Sequence, residues 1–577
     1  MYRTTFDFRK DKAGLYDKQR GYGFVTEQNR REDELLQLAE LNTGFDVPYW
    51  YRDETVTEIL TDEHGCYVDS AVAVRRISAA AGRRIPLCFK ADVERQGNYR
   101  VSMTLYGSGE ILVFAGARRL VYKETVPENR VIQCSFLLNV CDIIPRGKTC
   151  MYENRSIDIA VVGEAVRFSD VCFEPVNCPT LYIAGDSTVT DQSAEYPYDP
   201  ATSYSGWGQM LGRYLPKGIA VSNHSHSGLT VESFRSEGHY AGIEANFKPG
   251  DYLFMQFGHN DQKLMHLKAE GGYRDGLTAY VEETRQRGGW PVIVTPLARN
   301  TWKADDGTYN DLLAEYAAVC IALGRQLQVP VVDLHGRSMA FVTDKGLEAA
   351  KPFFFPKDYT HTNDYGAYKM AGFVVQEYRE KVKDVQAEAY RCLADLMTNA
   401  EEPWEAQGEI VVPTAPAGYR EVPNPEGDTT LFADLERPDE PLTRVEALDM
   451  VIKTARFFPT NVFNDIYEDI VGHEWYAGTV ECAYQNGIIP AGMTPQNRFE
   501  PEKPVSMEEF LALVMGGYRS RRKLPEEKPC ALDAGCTDYC MSYVRAAYAL
   551  GAVRADEDLR DVILRGRAAE ICRGLNI

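Results

Sequence analysis

The 577-residue chain sets 84 acidic side chains against 63 basic ones, a net charge of −21 with a pI near 5.0. That balance excludes non-specific binding to nucleic acid or to anionic lipid, since both require a basic face. At 44% hydrophobic and 25% charged residues the composition is that of folded soluble protein, and the length divides into roughly three or four domains.

The opening segment, residues 1–14, lacks the apolar core of a secretory signal, and no later stretch reaches the roughly 18 apolar residues of a membrane helix. Together with fourteen cysteines in no repeating framework, this gives a soluble, cytoplasmic chain with reduced thiols as the expectation. Short alternating segments punctuated by glycine follow, among them 98–106, 110–114, 131–140 and 157–162. They read as strands of an antiparallel β-sandwich over residues 1–177. Its aromatic residues Tyr22, Tyr49, Trp50 and Tyr51 are either core or a platform for stacking sugars.

From residue 178 to 382 short apolar runs alternate with amphipathic stretches, the pattern of a flavodoxin-like parallel sheet with helices on both faces. Strands are expected at 181–184, 219–222, 252–257, 291–295 and 329–333, and helices near 207–215, 231–246, 273–288, 308–327 and 364–380. In such folds reactive groups gather at the carboxyl ends of the strands. The first strand ends in Gly185-Asp186-Ser187, which aims a hydroxyl into the crevice; the other reading of Ser187 is a helix cap. The second strand leads to Gly228, whose N–H meets no side-chain obstruction. The third ends in Gly258-His259-Asn260-Asp261, with the Asn260 amide at the same edge. Beyond the fourth lies Arg299, either a planar bidentate donor to a carboxylate or half of a structural ion pair. Before the last helix, Asp358 and His361 stand three residues apart in one loop. A neutral imidazole oriented by a carboxylate is the base that an attacking serine needs.

These four blocks, in this order, resemble the SGNH (GDSL-like) hydrolases. Gly206-Trp207-Gly-Gln209 and Gln256-Phe-Gly-His259-Asn-Asp-Gln262 resemble the rhamnogalacturonan acetylesterase branch in particular. The resemblance implies Ser187 as nucleophile, His361 as base and Asp358 as its orienter. It also implies an oxyanion hole from the Ser187 and Gly228 N–H groups and the Asn260 side chain. Arg299, His259 and Trp207 are then expected to border substrate, an acetylated oligo- or polysaccharide of the plant cell wall, pectic or xylan. No metal or other cofactor is implied. Leu229 departs from the family, which commonly has arginine there. Phe6-Asp-Phe8 and Gly21-Tyr-Gly-Phe24 are similar to the galactose-binding-like sandwich that precedes many relatives. The other readings of the whole are a carbohydrate- or wall-binding protein on a decayed hydrolase, and an esterase for a different acyl group.

Residues 383–438 read as a helix and then an extended linker rich in Pro, Gly and acids. From 439 to 577 the chain reads as mainly α-helical. The segment Phe463 to Ile466, Trp475 to Ala477, Ala483 to Ile489, Phe499 to Pro501 and Val505 to Phe510 resembles one surface-layer-homology (SLH) repeat. Leu442-Thr-Arg-Val-Glu446 is similar to the closing motif of a preceding repeat, and 543–550 with 565–571 to a degenerate third. That family binds cell-wall polymer through Thr-Arg-x-Glu ends, which would place the protein at the cell surface; here only the first repeat keeps the motif. The alternative is a helical unit that packs on the esterase or borders its cleft. Cys530, Cys536 and Cys540 lack paired spacing and a nearby histidine, so buried thiols are expected there rather than zinc.

Overall fold

The computed structural model describes residues 3–9, 14–25, 58–76, 79–80, 82–144, 150–194, 197–302, 308–356, 358–399, 403–405, 437–455, 457, 467, 469–470, 476–495, 498–520 and 522–575. Tyr49, Trp50, Tyr51, the segment Phe463 to Ile466, Trp475 and nearly all of the expected linker lie outside the described residues.

The first part of the chain forms β1 (Thr4–Asp7), β2 (Tyr22–Val25), β3 (Leu60–Asp62), β4 (Gly65–Tyr67), β5 (Leu87–Asp92), β6 (Gly97–Ala115), β7 (Arg119–Val140), β8 (Ser156–Val162) and β9 (Ala165–Pro175). The segments 98–106 and 110–114, expected as two strands, are one. Register shifts in the β6–β7 pairing at Gly107/Gly109 bend the long strand instead of ending it. β6 pairs with β7 along its length, while its first half also pairs with β9 and its last residues with β8. Phe8, Phe24, Phe89 and Phe168 meet at 4.8–6.1 Å between ring centroids in the core these strands enclose. Tyr22 lies 4.6 Å from Phe6 at the margin of the same core, a packing role.

β10 (Thr180–Gly185), β11 (Ala220–Asn223), β12 (Tyr252–Gln256), β13 (Trp290–Val294) and β14 (Val331–Val332) follow, all pairing parallel in the order β11-β10-β12-β13-β14. This is the flavodoxin-like order. Helices α1 (Arg274–Gln286), α2 (Ala314–Leu327), α3 (Leu334–Lys345) and α4 (Asp364–Lys381) cover the sheet. α3 had no counterpart among the expected helices. The helix expected over 231–246 is two short ones, Ser233–Ser236 and His239–Glu244, separated where Gly238 takes φ +89°. Hydrogen bonding runs on across residue 177, where the sequence reading drew a boundary: β11 pairs parallel with β7 through Val221 and Leu138, so parallel and antiparallel strands form one mixed sheet.

Beyond residue 437 come α5 (Arg444–Thr454), α6 (Ala477–Gln485), α7 (Met507–Arg519), α8 (Met541–Ala549) and α9 (Arg565–Leu575), around their own apolar core. The Thr-Arg-x-Glu segment is built into this unit. Thr443 and Glu446 form a capping box at the start of α5, and the buried Arg444 donates to Glu509 Oε1 at 2.6 Å and to the Phe499 carbonyl at 2.7 Å. The unit docks on the parallel-sheet region through Leu264, which bridges Phe457 and packs on both cores. Among the described residues no disulfide is formed, and no helix is long and apolar enough to cross a membrane.

Candidate active site

Gly185 ends β10 beside the Gln256 carbonyl of β12, and a Cβ at this position would lie 2.8 Å from that oxygen. Glycine therefore lets the chain turn at once, and Asp186 fixes the turn by accepting from the Thr188 N–H at 2.9 Å and its hydroxyl at 2.7 Å. Ser187 stands at the turn, half-buried, and its Oγ lies 2.7 Å from His361 Nε2.

His361 arrives on the loop before α4. Asp358 accepts the Thr360 and His361 backbone N–H groups on Oδ1, both at 2.8 Å, and faces His361 Nδ1 with Oδ2 at 2.7 Å. Burial works against the carboxylate's charge, but the imidazole and the two N–H donors outweigh it and hold Asp358 below the ordinary carboxylate range. Asn363 caps α4 by accepting the Gly366 N–H at 3.0 Å. Gly366 admits no side chain, since a Cβ there would sit 1.8 Å from the Phe353 carbonyl. The loop is thus fixed at both ends.

Gly228 takes φ +84°, with open space where a Cβ would be. Neither its N–H nor that of Ser187 has a partner among the described residues. Asn260 donates from Nδ2 to the Leu229 carbonyl at 3.0 Å and accepts on Oδ1 from Lys263 Nζ at 3.0 Å. A carbonyl only accepts and an ammonium only donates, so the two partners fix which end of the amide is which.

The three side chains expected against substrate are inside the protein instead. Trp207 is 0% exposed and donates from Nε1 to Gln256 Oε1 at 2.8 Å. His259 is 2% exposed, with Nδ1 3.1 Å from Asp186 Oδ2 and Nε2 2.9 Å from the Leu297 carbonyl. Arg299 is 2% exposed; its Nη2 reaches the His259 carbonyl at 3.4 Å and Gln262 Oε1 at 2.9 Å. With no polar atom open to a sugar, these residues brace the site, a correction to the expectation from motif position. Burial lowers Arg299 to about 10, against the pull of Glu481, Asp186 and Asp358. That favours the structural reading of this arginine over the carboxylate clamp.

The sequence reading also missed Arg118 and Arg119, at the tip of the β6–β7 hairpin. Arg119 donates to Asp191 Oδ2 at 2.8 Å and to the Val221 carbonyl at 3.2 Å. Arg118 is fully buried and donates from Nη1 to both oxygens of Asp364, the first residue of α4. No local pattern marked them, because their partners lie 72 to 246 residues away.

A profile of the GDSL-like lipase/acylhydrolase family matches residues 183–369. Rhamnogalacturonan acetylesterase RhgT of Bacillus subtilis (strain 168) is 33% identical over 213 residues, covering 35% of this chain and 89% of that protein. The uncharacterized esterase YxiM of the same organism is 26% identical over 372 residues, 63% of this chain and 85% of that one. A rhamnogalacturonan acetylesterase of Emericella nidulans is 25% identical over 215 residues, with 33% and 81% covered.

Proposed function

Since the chain belongs to the GDSL-like lipase/acylhydrolase family and is a serine esterase, we propose that it removes acetyl groups from plant cell-wall saccharides, with pectic rhamnogalacturonan the favoured substrate and xylan the second. The observation that carries the catalytic assignment is the unbroken run from Ser187 Oγ to His361 Nε2 and from His361 Nδ1 to Asp358 Oδ2, 2.7 Å at each step. In this reading Ser187 Oγ bonds to the acetyl carbon while His361 takes its proton, and Asp358 steadies the imidazolium. The carbonyl oxygen, now anionic, is held by the Ser187 and Gly228 N–H groups and by Asn260 Nδ2. Collapse of the intermediate breaks the bond to the sugar oxygen, which leaves with the proton from His361. Water then attacks the acetyl-serine with the same base, and acetate departs.

The choice of saccharide is supported by the names of the relatives and by the aromatic rings at the site's edge. Tyr204 stacks on Phe355 with ring centroids 3.5 Å apart and lies nearly perpendicular to the His361 ring, 5.9 Å between centroids. We read the antiparallel strands through residue 175 as a galactose-binding-like sandwich, and the helices from 437 as an SLH-like unit that borders the cleft. Acetate release from acetylated pectic, xylan and mannan oligosaccharides tests the function: the pectic substrate is expected to be fastest and Ser187→Ala inactive on all. Acetate released by Ser187→Ala at the wild-type rate would refute the assignment.

A further inference from the structure

Lys263 is an ammonium in an expensive place. It lies at the carboxyl edge of the sheet, three residues after Asn260, yet it is 4% exposed. A buried ammonium is tolerated only with compensating charge and hydrogen bonds, and Arg299, the neighbouring cation, adds repulsion. Part of the compensation comes from Asn260 and Asp186, and part from beyond residue 437. Leu264, the residue after Lys263, packs on the same core as Cys482 of α6 in the C-terminal unit, and Glu481, beside Cys482 in the chain, acts electrostatically on both Lys263 and Arg299. That unit docks at Leu264.

We propose that Lys263 is the positioning residue of the oxyanion hole, locking the Asn260 amide with its N–H end toward the reacting carbonyl, with Glu481 of the C-terminal unit among its counter-charges. This rests on the reading of Asn260 as an oxyanion donor. The two ends of an asparagine amide have nearly the same shape, and a flipped amide would present its oxygen to the developing anion. Lys263 Nζ, 3.0 Å from Oδ1, removes that choice. Its charge also polarises the amide and strengthens the remaining Nδ2–H as a donor. The C-terminal unit is thereby part of the catalytic apparatus. Besides Asn260, the groups acting on Lys263 include Asp186, Arg299, Glu481 and Cys482; burial and Arg299 lower the ammonium to about 8, against the pull of Cys482, Glu481 and Asp186.

Kinetics of the full-length protein on 4-nitrophenyl acetate test this. Lys263→Met is expected to lower kcat by about 10- to 100-fold, a large part of what one preorganised donor contributes, with KM changed less than about twofold. In an Asn260→Ala background the same substitution is expected to cost almost nothing more, because its effect travels through the amide. Glu481→Gln, of the same shape, serves should Lys263→Met not fold. It is expected to move the alkaline decline of kcat from near pH 8 to lower pH, since losing the anion makes the ammonium more acidic. Losses that multiply between Lys263→Met and Asn260→Ala, a loss confined to KM, or an alkaline limb unmoved in Glu481→Gln would each overturn the proposal. Asn260→Ala with wild-type kcat would instead bring down the oxyanion reading beneath it.

Discussion

Arg118, at the tip of a hairpin in the antiparallel strands, closes a two-pronged ion pair on Asp364, with Nη1 2.8 and 3.0 Å from the carboxylate oxygens. Tyr198 adds a hydroxyl to the same carboxylate at 2.6 Å. Asp364 begins the helix that follows His361, so a residue far upstream braces the loop carrying the base.

Arg118→Met leaves the Asp364 carboxylate buried without its cation, and burial already pushes that carboxyl up. The expected cost is about 3–5 kcal/mol of stability, read as a fall in the urea midpoint. Activity should fall with it even under folding conditions, because the His361 loop loses an anchor. The double variant Arg118→Met/Asp364→Leu is expected to recover much of the stability. A wild-type urea midpoint in Arg118→Met would count against this bracing.

Asp358→Asn should lower kcat by about 10³–10⁴-fold, since the amide leaves His361 in the wrong tautomer. It also carries a pH signature. The folded value of Asp358 lies below its unfolded one, so its stabilisation is complete above the unfolded value of about 4 and is lost as pH falls through the folded value. The stability gap between wild type and Asp358→Asn is therefore expected to close as the pH is taken below about 4. Chemical denaturation at stepped pH checks this, and a gap that widens there would contradict it.

Asp261 gives the opposite sign. Burial pushes its carboxyl up to about 7, although the Val231 and Gly258 N–H groups bond its oxygens at 2.9 and 2.8 Å. A folded value above the unfolded one means that the contribution is largest at low pH and is lost as pH rises toward 7. Asp261→Asn should therefore cost more stability at pH 5 than at pH 8. Equal urea midpoint losses at the two values would refute the shift.

Arg299→Ala, tested on acetylated uronate and neutral xylo-oligosaccharides, should slow both to a similar degree. The guanidinium lies among His259, Gln262 and the Glu481 field, out of reach of a sugar carboxylate. A loss confined to the uronate substrate would restore the carboxylate clamp.

The meeting of Ser187, His361 and Asp358 was legible because each block carries its own local signature: Gly185 before Ser187, and Asp358 three residues ahead of His361 in one loop. Their meeting point followed from the parallel sheet, which puts every strand end on one side. What stayed hidden depends on contacts across the chain. Arg118 reads as an ordinary turn residue until Asp364 is seen beside it, and Lys263 as a surface lysine until it is found buried against Asn260. Trp207 and His259 were assigned to substrate because motif position does not separate side chains that touch a ligand from those that support the ones that do. Burial makes that distinction, and it appears only once the chain is folded.

The join between Val221 and Leu138 bears on how this protein can be taken apart. Excising the hydrolase at residue 178 would strip β7 from β11 and leave a raw strand margin of unpaired N–H and C=O groups, the kind that recruits other chains into aggregates. The portion bearing Ser187 is thus no portable cassette, and a soluble fragment should retain at least the β6–β7 hairpin.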